Sequence, residues 1–369
     1  MEKDMVKRWF LRIALGMLGT VAIAIAGGLV FREVVQHRIA SESRMAGAHG
    51  ISSLEEVVLG GRPQSILIRA EDTRHPVLLF LHGGPGGPLM YEARLFGREL
   101  EKHFVVVHWD QRGAGKSYRS DIEPAEMTIA QFKSDAVELI QLLRRRFGVD
   151  RVYLVGHSWG TILGALVAHE HPELLWAYVG AAQVVDIKRN EEISYVTAVS
   201  LARRAGNQQA LRELARIKPP YDSIQELKVE RQWLWHFLAE EQGNESAAST
   251  DKALLRLLES PEYSLLDVWR TLKGLFWTLE VMWDELKTVD LVRQVPRIDV
   301  PVYLFLGRHD RQVPAELAEA WLADLQAPRK EIIWFEHSAH DMYLDEPQRF
   351  QEVLIEKLLD GTASPAMRE

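Results

Sequence analysis

Arg151–Glu170, RVYLVGHSWGTILGALVAHE, is the stretch that decides the fold. Its opening, RVYLV, is a short apolar run of the kind carried by a strand buried on both faces. Its closing part, TILGALVAHE, is helix-like and is stopped by Pro172. Between them lies Gly156-His157-Ser158-Trp159-Gly160, a G-x-S-x-G sequence. A strand that turns sharply into a helix needs small residues where the two segments crowd, and the turn lifts its central side chain to the strand's end. Ser158 is therefore expected to be a nucleophile. A glycine-rich turn holding a solvated serine would require neither the buried strand before it nor the apolar helix after it.

Working outward, the same alternation repeats. SILIRA (65–70), PVLLFLHGG (76–84), FVVVHWD (104–110) and WAYVGAA (176–182) read as strands, and TIAQFKSDAVELIQLLRRRFG (128–148) reads as a helix ending at glycine. Strands alternating with helices predict an α/β architecture, a mostly parallel sheet covered on both faces. The alternation stops near Asp186. Residues 187–290 are helix-like throughout and hold five of the eleven tryptophans: Trp233, Trp235, Trp269, Trp277 and Trp283. It resumes with VPVYLFLG (300–307), AELAEAWLADLQ, KEIIWFE and a last helix from about 347. The expected organisation is an N-terminal membrane segment (1–31), a polar connector (32–53), the first part of the core (54–186), a helical cap (187–290) and the second part of the core (291–369). No internal repeat is evident, and the only small polar tract is GNESAAST (243–250).

A serine nucleophile needs a base, and the base needs a carboxylate to orient it. In a strand-turn-helix setting the chain order is Ser, then Asp or Glu, then His. YLFLGRHDRQVP places Asp310 beyond one strand end, and IIWFEHSAHDMYLDEP places His337 and His340 beyond the next. Sites in open α/β sheets form at that edge. His340 is preferred as base, because His337 follows its strand immediately; His309, next to Asp310, is expected to point elsewhere. Acyl transfer also needs donors for a developing oxyanion. The Trp159 N–H is one, and Gly83 or Gly84 of LHGGPGG is expected to supply the other.

WDQRGAGKS (109–117) ends as a phosphate-cradling loop ends, yet the position five before Gly115 is Asp110 where such a loop needs glycine. No nucleotide is expected. The chain has no cysteine, so disulfides, thiol catalysis and zinc–thiolate sites are excluded. His169 and His171 are two apart and do not share a helix face, so no metal is expected there. A net charge of −8 with no basic stripe argues against nucleic acid. At the N-terminus Lys3, Lys7, Arg8 and Arg12 precede nineteen uncharged residues, Ile13–Phe31, a length that crosses roughly 30 Å of hydrocarbon. The basic flank predicts a single-pass anchor with the catalytic domain outside the cytoplasm, although Arg32, Arg38 and Arg44 oppose that orientation. Secretion after cleavage at Ala24-Ile25-Ala26 is the alternative.

HGGPGG (82–87), DQRGAGKS (110–117) and GHSWG (156–160) together resemble the proline iminopeptidase branch of the α/β-hydrolase fold. The resemblance implies that fold with an inserted helical cap. It also implies Ser158, Asp310 and His340 as the catalytic set, the Gly83/Gly84 loop with Trp159 as oxyanion hole, no cofactor, and aminopeptidase activity on short peptides. In that family the Asp-Gln-Arg-Gly loop shapes the surroundings of the site, and cap glutamates hold the substrate's free amino group. Glu191, Glu192, Glu280 and Glu285 are the candidates here, and the cap tryptophans are candidates for the pocket wall. His157 stands where the family has a small residue, and G-H-S-x-G is widespread among esterases and lipases. A carboxylester hydrolase on the same machinery is therefore the alternative. A non-catalytic member of the fold would have no need of nucleophile, acid, base and oxyanion loop together.

Overall fold

A computed structural model describes residues 2–45, 47–242 and 250–360. The GNESAAST tract, apart from Thr250, lies outside the described residues, as do the side chains of Lys3, Lys7, Arg8 and Arg12. The eight strands are β1 (Ile51–Leu59), β2 (Arg62–Ala70), β3 (Val77–Leu81), β4 (Val105–Asp110), β5 (Val152–His157), β6 (Leu175–Ala181), β7 (Val302–Gly307) and β8 (Lys330–Phe335). They form one sheet in the order β1-β2-β4-β3-β5-β6-β7-β8. From β4 to β8 all pairings are parallel, while β1–β2 and β2–β4 are antiparallel.

Strands β3, β4, β5 and β7 are buried along their whole length, as their near-continuous apolar sequences require. Strand β1 was not legible as one. Residue by residue it alternates between half-buried and exposed, with Ser52, Leu54, Glu56 and Val58 outward, as an edge strand does. It is closed onto β2 by Gly60 and Gly61, whose φ values of 53° and 74° suit the two-residue turn that matches strand twist.

Two apolar layers flank the sheet. One face packs α3 (Ile129–Phe147), α4 (Trp159–Glu170) and α11 (Ala315–Asp324) through Phe132, Leu139, Ile162, Leu163 and Trp321. The other packs α2 (Ala93–Phe96), α12 (Met342–Asp345) and α13 (Pro347–Ile355) through Phe96, Tyr343, Phe350 and Leu354. Between β6 and β7 the chain makes α5 (Ile187–Arg204), α6 (Gln208–Leu214), α7 (Ile224–Gln242), α8 (Thr250–Glu259), α9 (Leu265–Leu286) and α10 (Leu291–Gln294). An antiparallel bridge between Asp186 and Asp290 ties the chain together where it leaves and rejoins the core. The α/β-hydrolase fold with an inserted helical region is thus present.

Helix α1 spans Glu2–Glu42. Leu15–Glu42 is long and apolar enough to cross a membrane, with a mean hydropathy of 1.8 and none of its apolar window buried in the protein. Residues 32–42, read above as connector, continue this helix. Arg32 and Gln36 there donate to backbone carbonyls of Leu258, Ser260 and Tyr263, which gives a polar segment a reason to stay helical.

Candidate active site

The turn after β5 holds Ser158 at φ 52° and ψ −120°, a conformation L-residues rarely take and one the surroundings must enforce. A side-chain carbon on Gly156 would lie 2.4 Å from the Gly160 carbonyl oxygen, and one on Gly160 would lie 2.1 Å from that of Leu81. Both positions admit only glycine. The Ser158 N–H donates to the Ala181 carbonyl at 3.0 Å, and the Thr161 hydroxyl donates to the Ser158 carbonyl at 2.6 Å.

Asp310 lies three residues beyond β7 and is buried. Its Oδ1 accepts the N–H groups of Gln312 and Val313, both at 2.9 Å, leaving Oδ2 aimed at His340 Nδ1, also at 2.9 Å. Burial alone would lower the His340 pKa. The Asp310 carboxylate, with help from Asp341, outweighs burial and holds it above the ordinary imidazole value. With its Nδ1 proton on Asp310, His340 presents Nε2 as an acceptor. The Gln312 side-chain amide occupies that position, 3.2 Å away. Its orientation is fixed from the far side, where Gln312 Oε1 accepts the Trp235 indole N–H at 2.9 Å. His309 and His337 are exposed at the surface.

His157 is buried next to this pair. Its Nε2 lies 3.1 Å from the His340 carbonyl and 3.5 Å from Asp341, and burial pushes its pKa down to about 4. It is a neutral brace under the His340 backbone. Among the described residues, His157, His340 and Asp341 could offer ligands to a cation, their donor atoms lying within 4.8 Å of one another. An ion held there would compete for the nitrogens that these hydrogen bonds use.

Gly83 approaches the serine closely, since a side-chain carbon on it would stand 3.2 Å from Ser158 Cβ. The loop is braced by His82, whose Nε2 accepts the Gln111 backbone N–H at 3.0 Å. The ring proton is therefore on Nδ1, which donates to the Gly83 carbonyl at 2.8 Å. Burial keeps this imidazole neutral, its pKa lowered to about 4. Because a trans amide is planar, pinning the Gly83 carbonyl turns the Gly84 N–H the opposite way. Gln111 then joins this loop to the turn after β5: its amide donates to the His82 carbonyl at 3.1 Å and accepts the Trp159 indole N–H at 3.0 Å.

The rest of the Asp-Gln-Arg-Gly stretch is scaffolding. Arg112 is buried on Asp135 of α3 at 3.0 Å and reaches the Gly60 carbonyl of the β1–β2 turn. Asp110 accepts the Tyr263 hydroxyl at 2.6 Å and the Lys116 N–H at 2.8 Å, and burial nonetheless pushes its pKa up to about 7. The Lys116 ammonium goes to Asp267 of α9 at 2.7 Å. The Gly-Lys-Ser ending thus fastens the cap to the core.

These groups open on a cavity of about 380 Å³ between sheet edge and cap. It is lined by Gly83, Gly84, Ser158, Trp159 and His340 from below and by Ile187, Leu227, Trp235, Leu279 and Trp283 from above. Of the four glutamates singled out from sequence, Glu191 lines it and is buried. Glu192 and Glu280 are exposed, so the expectation that they bind substrate is corrected: each lies on a side of its helix turned to solvent. Glu285 accepts the Ile129 N–H at 2.9 Å, capping α3. Trp233 is held by Glu213, Trp277 packs on Tyr118, and Trp269 is exposed.

Sequence reading missed Arg231 and Glu230. Arg231 lines the cavity and donates to Glu191 Oε1 at 2.7 Å and to Glu230 Oε2. Glu191 Oε2 and Glu230 Oε1 are buried without a partner. Burial raises the Glu230 pKa to about 7 despite Arg231. The available signal was Glu230 between Leu227 and Leu234, a charge on the apolar face of a helix. Glu92, which also lines the cavity and is bonded to Arg256 of α8, is likewise raised to about 7 by burial and by Asp341.

Fold and site together define a serine hydrolase, and residues 78–353 match the family model described as alpha/beta hydrolase family. The chain belongs to that family and is related to its proline iminopeptidase branch. A probable aminopeptidase of Bacillus subtilis strain 168, YbaC, is 34% identical over 313 residues, 82% of this chain and 95% of the relative. The solved proline iminopeptidase of Mycobacterium smegmatis superposes with a TM-score of 0.58 at 17% identity, covering 84% of this chain and 98% of its own. A bacterial membrane phospholipase A superposes with a TM-score of 0.59 at 18% identity, covering 95% of this chain and 98% of its own. These two likenesses are of fold.

Proposed function

We propose that this chain is a membrane-tethered aminopeptidase that removes an N-terminal residue, proline above all, from short peptides. The observation that carries this reading is the unpartnered carboxylate oxygen of Glu191 inside the cavity. With Glu191 and Glu230 ionised and one guanidinium between them, the cluster lacks one positive charge. A substrate α-ammonium in the cavity supplies that charge and fits the unpaired oxygen of Glu191. The B. subtilis relative, a probable aminopeptidase, points the same way.

His340 Nε2 takes the proton of Ser158 as the hydroxyl attacks the acyl carbon, with Asp310 holding the imidazole in the required tautomer. The oxyanion is received by the Gly84 and Trp159 N–H groups. His340 returns the proton to the departing amine, and water, activated in the same way, releases the acyl group. The first thirty or so residues are retained as the anchor, basic end inward and catalytic domain outside the cytoplasm.

Two expected outcomes arise here. Only neutral His340 can act as base, and its raised pKa keeps the proton on to higher pH. Activity should therefore be lost as pH falls through a value above the ordinary ~6.5 of histidine, and Asp310→Asn should move that limb downward. A kcat/KM profile over pH reads both. Gln312 donates to the nitrogen that must take the serine proton, so Gln312→Ala should speed fluorophosphonate labelling of Ser158 about fivefold, one hydrogen bond's worth. Slower labelling would instead assign Gln312 to holding the imidazole in place.

The substrate class is tested by turnover of a proline anilide with free and blocked amino group beside a short-chain nitrophenyl ester. Free-amine turnover alone is expected. The apolar cap wall and the apolar span favour ester hydrolysis as the second reading, and ester turnover without anilide turnover would establish it.

A further inference from the structure

We infer that the cap is a second membrane-contacting element: the outer faces of α8 and α9 rest on the lipid surface beside the anchor. The inference rests on the membrane-tethered reading and extends it from α1 to the catalytic domain. Leu265, Trp269, Leu272 and Phe276 recur every third or fourth residue and form one stripe along α9, and Leu254 and Leu255 add to it from α8. Each is 43–56% exposed. Scattered apolar side chains on a surface are ordinary, but a stripe about three turns long is an interaction surface.

Its place on the molecule selects lipid as the occupant. Arg32 is the first charged residue after the nineteen-residue uncharged run, so it marks the level at which α1 leaves hydrocarbon. Arg32 donates to the carbonyls of Leu258 at 2.8 Å and Tyr263 at 2.5 Å, and Gln36 donates to those of Ser260 at 2.5 Å and Tyr263 at 3.2 Å. These carbonyls form the corner between the end of α8 and the start of α9. The corner is thereby fixed at the membrane boundary, and the α9 stripe begins two residues beyond Tyr263. Lys228, 4.8 Å over the Phe276 ring, and exposed Lys273 border the stripe with positive charge suited to headgroup phosphates. The neighbouring face of α9 carries Thr271, Leu275 and Leu279 into the cavity, so the same helix meets lipid outside and substrate inside.

The chain's lack of cysteine makes the test clean. Full-length Leu18→Cys (anchor), Trp269→Cys and Leu272→Cys (cap) and Val58→Cys (exposed on β1) each carry one thiol for an environment-sensitive fluorophore. They are reconstituted into phosphatidylcholine vesicles with or without doxyl-labelled lipid. Labels at 18, 269 and 272 should be quenched by about half or more and the label at 58 hardly at all. Two cap positions guard against one variant that misfolds. Quenching at 18 with cap labels as unaffected as that at 58 overturns the inference while the anchor stands. Failure of the chain to float with vesicles removes anchor and inference together. Cap thiols that crosslink between copies and escape quenching would give the face to a second copy of this chain, which also overturns it.

Discussion

Ser158→Ala is expected to lower kcat/KM on the free-amine proline anilide by roughly 10⁴- to 10⁶-fold, with little change in thermal stability. The elbow is held by the Ser158 backbone: its N–H on Ala181, its carbonyl under Thr161, and glycines on both sides that tolerate no side chain. The hydroxyl is not what folds the turn, so its removal should leave the structure intact and the reaction without a nucleophile. Fluorophosphonate labelling should disappear with activity. A variant retaining more than about a hundredth of the wild-type rate would place the nucleophile elsewhere. Gly160→Ala is the contrasting change, because the added methyl would stand 2.1 Å from the Leu81 carbonyl oxygen, and it should cost the fold as well as the rate.

Glu191→Gln should lower kcat/KM for the free-amine anilide by about 10²-fold, chiefly through KM, while ester turnover stays within about twofold of wild type. Glutamine keeps the shape and can still accept from Arg231 through its carbonyl. It removes the charge that leaves the cluster one cation short, so the α-ammonium loses its counter-ion. Glu192→Gln and Glu280→Gln, both at exposed positions, should change neither rate. Equal loss on amide and ester would sink the receptor role and show that Glu191 serves to hold Arg231 and the cap in place.

The candidate residues Ser158, Asp310 and His340 were legible because each is announced by its own neighbourhood. The elbow is written in twenty consecutive residues, Arg151–Glu170, and Asp310 and His340 follow strands whose apolar runs are unmistakable. What escaped depends on contacts between distant segments. Gln312 gains its meaning from Trp235, 77 positions earlier, and Glu191 from Arg231, 40 positions later. Glu191 and Glu192 look alike as letters, yet one helix step of about 100° puts one in the cavity and the other in water. Asp110 could be recognised as unfit for phosphate, but its bond to Tyr263 arises only once the cap has docked. Strand β1 stayed hidden because an edge strand displays polar residues on one face and resembles a linker.

The Gln111 amide spans the two walls of the proposed oxyanion hole, one end on the His82 carbonyl and the other on the Trp159 indole. Neither wall can shift without dragging the other, so the gap between the two donors is a fixed gauge set when the chain folds and indifferent to what enters. Chemistry and choice of substrate are thereby decoupled. The inserted helices can be reshaped from one descendant to the next, accepting larger, smaller or greasier molecules, while the tetrahedral intermediate always meets the same calibrated opening.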